Sequence, residues 1–134
     1  MDLDSEVRED LLAHAREGAP EEVCGVLAGR RAPDGVDVVT ASRRVPNVAE
    51  TPGTRYELDP AEQVAAMDEL ESEGDDVVGF YHSHPRGPAG PSATDERLAT
   101  WPGYLYCIVS LPDESVGAWR GSDERFVEEP VSER

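Results

Sequence analysis

The 134-residue chain has no lysine: all 12 of its basic residues are arginine, set against 29 acidic residues for a formal net charge of −17. A polyanion repels phosphate backbones and anionic lipid surfaces, so neither nucleic acid nor membrane is expected as a partner. Cysteine is nearly absent as well. Cys24 and Cys107 lie far apart, each within apolar, strand-like sequence. In a reducing compartment they read as small buried hydrophobes and not as a disulfide. No apolar run approaches the length of a membrane span. The opening MDLDSEVRED lacks a basic region followed by an apolar stretch, so no secretory signal is expected and the location is expected to be cytoplasmic. Histidine is scarce too, with three in all, and two of them flank one serine in His82-Ser83-His84.

The length suits one domain, residues 1–134, with a single ordinary core. Self-repulsion among so many carboxylates strains a compact chain. Near-molar salt shortens the screening length to roughly 3 Å and relieves that strain. Acidity combined with the absence of lysine therefore reads as adaptation to concentrated salt, the alternative being an ordinary acidic cytosolic protein.

Hydrophobic periodicity divides the chain into alternating elements. Ser5 is placed as the cap of a first helix, carried by Val7, Leu11, Leu12 and Ala15 and stopped by Gly18 and Pro20. EEVCGVLAGRR reads as a buried strand, Pro33-Asp34-Gly35 as a turn, and VDVVTASRRV as a second strand. Residues Pro46–Arg55, with two prolines, a glycine and no period, read as an exposed loop. Asp59-Pro60-Ala61-Glu62 opens a second helix that Val64, Met67 and Leu70 carry towards Gly74. VVGFYHSH is a strand, Ser92 or Thr94 opens a short helix ending near Trp101-Pro102, and YLYCIVSL, VGAWR and RFVEEP supply the remaining strands. The expected fold class is α/β, a mixed sheet packed by two or three helices.

On a strand, residues i and i+2 share a face and lie roughly 6.6 Å apart. His82 and His84 can thus lean onto one ion, with their directions fixed by the strand. Pro85, Pro88 and Pro91 with Gly87 and Gly90 make a stiff, tightly turning connection that can return Asp95 towards the strand end. Two histidines and one carboxylate leave a fourth position of a tetrahedral zinc ion open to water, the catalytic arrangement. Ser92-Ala93-Thr94-Asp95 also fits a plain helix start, and the two readings are compatible. A hydrolytic site needs a base. Among 17 glutamates, Glu21 and Glu22 stand out because they enter the apolar strand EEVCGVL, although on residue type alone a solvated strand edge is the better reading.

His82-Ser83-His84-Pro85, six residues, then Ser92-Ala93-Thr94-Asp95 resemble the H-x-H-P-x6-S-x-x-D signature of the JAMM (MPN+) zinc metalloproteases of the JAB1/MPN/Mov34 group. Pro20-Glu21-Glu22-Val23-Cys24-Gly25-Val26-Leu27 is similar to the family's P-x-E-x-C-G-x-L strand, and the likeness runs from about Leu3 to Trp119 through Pro46-Asn47, Tyr56, Asp59-Pro60 and YLYCIVSL. The resemblance implies a JAB1/MPN-type sheet sandwiched by helices, with one Zn2+ per chain held by His82, His84 and Asp95. It implies Glu22 as the base that activates the metal's water and Ser92 as a donor to the developing oxyanion. No position of the signature is substituted, which removes the support for an inactive scaffold.

Family members cut after the C-terminal Gly-Gly of ubiquitin-like proteins or process sulfur-carrier proteins of the same fold. With the salt-adapted composition, the resemblance implies an archaeal, desampylase-like isopeptidase. Its expected substrates are small modifiers in lysine conjugates or linear fusions, the tail lying extended beside loop Pro46–Arg55. The alternatives are a peptidase for precursor or cysteinylated sulfur-carrier proteins and a non-catalytic modifier-binding module. Nucleobase deamination is excluded, because the chain has neither H-x-E nor Cys-x-x-Cys. His14, between two alanines, reads as a helix-surface or core-edge residue, and Arg30-Arg31 and Arg43-Arg44 as partners of neighbouring acids. The salt reading is checked by thermal melts in a KCl series: the midpoint should climb with salt, and a flat or falling series defeats it.

Overall fold

A computed structural model describes residues 1–32, 35–98, 101–122 and 125–134. In chain order its elements are β1 (Asp2–Leu3), α1 (Ser5–Gly18), β2 (Cys24–Arg30), β3 (Val38–Val45), α2 (Pro60–Ser72) and β4 (Asp76–His84). Then come α3 (Ala93–Leu98), β5 (Leu105–Ser110), β6 (Ser115–Ser122), β7 (Arg125–Glu129) and β8 (Ser132–Glu133). The strands form one mixed sheet in the order β7-β6-β5-β4-β2-β3-β1-β8. β4 is central. It runs antiparallel to β2 and parallel to β5, so a crossover through α3 must join β4 to β5. The result is the α/β class expected, with three helices.

The period of two sorts the strand residues onto two cores. Leu27, Tyr81, Cys107 and Val109 face α1 with Val7, Leu11, Leu12 and Ala15, while Val26, Ala28, Phe80 and Tyr106 face α2 with Ala66 and Leu70. His82 and His84 share the α2 face with Phe80, since each is two residues on. At Gly79 β4 approaches β5 so closely that a Cβ would collide with the Leu105 backbone. Cys24 and Cys107 are both buried and free, as expected. Among the described residues, no helix is long and apolar enough to cross a membrane.

Several local expectations change. The cap of α1 is Asp4, whose carboxylate accepts from the Glu6 amide at 2.8 Å, and Ser5 is already helical. Asp59 caps α2 with Pro60 in its first turn, as expected, but Val64 is 57% exposed and Ala66 takes the buried position. The turn placed at Pro33-Asp34-Gly35 falls at Pro33 and Asp34 outside the described residues, as do residues 99 and 100 beyond α3. The short strands β1 and β8, at one end of the sheet, had no periodic signal to announce them, each being two residues long.

Neighbouring arginines on β3 point opposite ways. Arg43 pairs with Glu69 of α2 (3.0 Å) and with Glu73, the C-cap of that helix (2.7 Å), and Arg44 with Glu17 of α1 (2.7 Å). Both partner neighbouring acids. Among the described residues Arg31 has no such ion pair: its guanidinium lies 4.3 Å from the Tyr104 ring centre and donates to the Gly103 carbonyl.

His14 is a core-edge residue, its Nδ1 2.8 Å from the buried Tyr81 hydroxyl. Burial, helped by Arg44 and opposed by Glu17, lowers its pKa to about 4. A folded value below the unfolded one, about 6.5, means stability present above pH 6.5 and lost as pH falls through about 4. Urea melts of His14→Gln and the parent should therefore converge between pH 7 and pH 4.5. A constant gap would contradict the shift.

Candidate metal centre and catalytic site

Three side chains meet at the end of β4. His82 Nε2 and His84 Nε2 are 3.3 Å apart, and Asp95 Oδ2 lies 3.1 Å from the first and 3.0 Å from the second. His82 and Asp95 are buried, with 1% and 6% of their side chains exposed, and His84 is 13% exposed. Glu22 completes a set of four whose donor atoms all lie within 4.8 Å of one another. The structure thus brings together Glu22, His82, His84 and Asp95, while Glu21 stays exposed on the turn before them.

Local structure aims each group. The histidines take their common direction from β4. The Pro88 carbonyl, 2.9 Å from His84 Nδ1, requires a proton on that nitrogen and so turns the Nε2 lone pair towards the cluster. The Pro-Gly connection is pinned by buried Ser110, whose hydroxyl donates to the Gly87 carbonyl at 2.7 Å. Asp95 is delivered by the first turn of α3, where a reciprocal pair closes the helix start: Asp95 N donates to Ser92 Oγ (3.0 Å) and Ser92 N to Asp95 Oδ2 (2.9 Å). Ser92 is therefore a cap, and a hydroxyl that accepts at its oxygen still carries a proton to donate. Tyr56 stacks on the His82 ring, centres 4.0 Å apart and planes at 12°.

The electrostatics demand a cation. The His84 Nε2 lone pair and the Asp95 carboxylate are both acceptors, and at 3.0 Å only a proton or a metal ion between them removes the repulsion. Burial would push Asp95 up, but its hydrogen bonds with His82 and His84 win and hold it well below the usual carboxylate range. Burial lowers His82 despite Asp95. For His84 burial is outweighed by Asp95 and the Pro88 carbonyl, which raise it. Glu22 goes the other way. Burial, opposed by His84 and reinforced by Asp95, raises its pKa to about 7, and among the described residues its Oε1 is buried without a hydrogen-bond partner. A carboxyl raised by burial, with an unspent oxygen beside a cation site, is equipped to exchange protons. The donor set fits a divalent metal.

Three supporting residues escaped the sequence reading: Ser83, Ser110 and Asn47. Ser83 is wholly buried, and its Oγ accepts from Val23 N at 2.9 Å while its own amide donates to the Val23 carbonyl at 3.0 Å. The serine in the middle of VVGFYHSH was a visible sign of the first, and Asn47 had entered only within the Pro46-Asn47 likeness, with no role attached. Asn47 and loop Pro46–Arg55 also hold the segment of Glu22: Glu22 N donates to the Pro52 carbonyl at 2.7 Å and Asn47 Nδ2 to the Glu22 carbonyl at 2.9 Å. The exposed loop is thus tethered to the site.

Residues 4–122 match the family described as prokaryotic homologs of the JAB domain. The chain belongs to that family. It is 50% identical over 131 residues to a desampylase of Haloferax volcanii, covering 93% of this chain and 91% of the relative. It is 40% identical over 126 residues to a CysO-cysteine peptidase of Mycobacterium tuberculosis, covering 91% and 83%. A solution structure of a protein from Desulfitobacterium hafniense, 34% identical, superposes with a TM-score of 0.89 over 99% of this chain and 92% of the other.

Replacing Ser83 by alanine leaves the buried Val23 amide unpaired, which costs about 1–3 kcal/mol. Chemical denaturation should show that loss, and calorimetric titration should show weaker metal binding. Parental values in both would refute the tether.

Proposed function

We propose that the chain is a zinc-dependent isopeptidase that cuts after the C-terminal Gly-Gly of ubiquitin-like modifiers, in lysine conjugates and linear fusions. Residues 1–134 act as a single catalytic domain in the cytoplasm, with one Zn2+ held by His82, His84 and Asp95. The observation that carries the metal is the meeting of two imidazole nitrogens and one carboxylate oxygen at 3.0–3.3 Å. Bonds of 2.0–2.1 Å in a tetrahedron separate neighbouring ligand atoms by about 3.3 Å, so zinc fits with little adjustment. Calcium and magnesium prefer all-oxygen sets.

Bound there, zinc supplies the Lewis acidity that acidifies a water and polarises the scissile carbonyl. Glu22 takes the proton of the attacking water and passes it to the departing lysine amine. A carboxyl with a pKa of about 7 can do both at neutral pH. Ser92 donates its hydroxyl proton to the oxygen that gains charge. The modifier tail lies extended along loop Pro46–Arg55. A cavity of about 560 Å3, lined by Tyr56, Leu58, Phe80, Trp101 and Tyr106, opens there. Tyr56 is the wall that cavity shares with His82.

The second reading, a peptidase that trims cysteinylated sulfur-carrier proteins, is favoured by the 40% identity to the CysO-cysteine peptidase. Both substrates present a similar tail, so rates on a modifier–lysine conjugate, a linear fusion and a cysteine adduct, compared in high salt, choose between them. Glu22→Ala should keep one zinc per chain by elemental analysis and lose at least about 100-fold in kcat. Parental turnover in that variant would remove Glu22 from the chemistry.

A further inference from the structure

Glu22 stands just before β2, where its main chain has left the sheet ladder. Its N–H and C=O are satisfied by the loop that follows β3: Pro52 accepts from the amide at 2.7 Å, and Asn47 Nδ2 donates to the carbonyl at 2.9 Å. Among the described residues, no side chain anchors Glu22 Oε1. A carboxylate oxygen without a partner of its own is aimed by the backbone that carries it. The backbone of Glu22 is in turn placed by the Pro52 carbonyl and by one side-chain amide.

That amide is fully committed. Asn47 Nδ2 donates a second time, to the Arg55 carbonyl at 3.0 Å, and Oδ1 accepts from Ala49 N at 3.0 Å and Glu57 N at 2.9 Å. Two donors on carbonyls and two lone pairs on amides use the whole capacity of the group and fix which end is nitrogen. The oxygen end, with the Asn47–Leu58 bridge and the Val48–Glu57 hydrogen bond (2.9 Å), holds the loop to itself. The nitrogen end holds the loop to Glu22.

We propose that Asn47 is a positioning residue that sets the place of the Glu22 carboxylate and couples it to the 46–58 loop. The inference rests on Glu22 being the base. A tail that seats against Arg55 and Tyr56 then firms the same staple that aims the carboxylate, so binding and chemistry share one support.

The test is steady-state cleavage of a modifier–lysine conjugate by the zinc-loaded parent, Asn47→Ala and Asn47→Asp, each alone and combined with Glu22→Gln. Aspartate keeps the two acceptor bonds to Ala49 and Glu57 but sets an oxygen against the Glu22 and Arg55 carbonyls, so it removes the donating half while retaining part of the loop's own support should the alanine variant fold poorly. Either variant should lower kcat 10- to 100-fold, with KM within about threefold and zinc at one per chain. In the Glu22→Gln background the same change should cost less than twofold, because the group being aimed is gone. Equal losses in both backgrounds, a change confined to KM, or parental kcat in Asn47→Asp would overturn the positioning role alone. Parental kcat in Glu22→Gln would overturn the base assignment and this inference together.

Discussion

Asp95 Oδ2 receives two imidazole nitrogens and a backbone amide within 3.1 Å, and the surrounding structure holds that convergence in place. The strand aims the histidines, the Pro88 carbonyl fixes one tautomer, and the helix cap at Ser92 fixes the carboxylate. Ser110 holds the connection between them. Convergence of acceptors in a buried place is unfavourable unless positive charge arrives. Their arrangement before any ion binds therefore stores selectivity for a cation with nitrogen and oxygen affinity in the fold itself. Glu22, set just before β2, adds a second carboxyl that burial raises, the opposite way from Asp95, which its hydrogen bonds hold down. The two acids differ by environment and not by type.

Much of this was legible from the chain because it rests on short-range rules. The period of two put His82 and His84 on one face, and serine followed three later by an acid marked both the turn of α3 and the return of Asp95. The α/β alternation followed from caps and prolines that the structure reproduces at Asp59 and Pro60. What stayed hidden has one physical character. Asn47, Ser83 and Ser110 act through side-chain bonds to backbone groups distant in sequence, and such bonds leave no periodic trace. Strands of two residues leave none either. The misplaced cap at Ser5 shows the complement: Asp4 and Ser5 are both competent caps, and the choice between adjacent candidates is made by where the preceding strand releases the chain.

The family relationship and the geometry meet at the loop after β3. Without periodicity it read as an exposed connector, yet one of its carbonyls and one asparagine hold the backbone of Glu22, and Tyr56 just beyond it stacks on His82. The segment therefore buttresses two members of the site at once, the Glu22 backbone and the His82 ring.

The paired arginines of β3 carry a consequence for folding fidelity. Adjacent strand residues point to opposite faces, so Arg43 reaches Glu69 of α2 and Glu73 at its cap only when Arg44 reaches Glu17 of α1. Sliding β3 by a single residue would exchange the two guanidinium groups between layers and bring the wrong number of carboxylates to each. Individually such exposed pairs contribute little. As a dipeptide they check strand alignment against both helices at once, a proofreading mark written in charge.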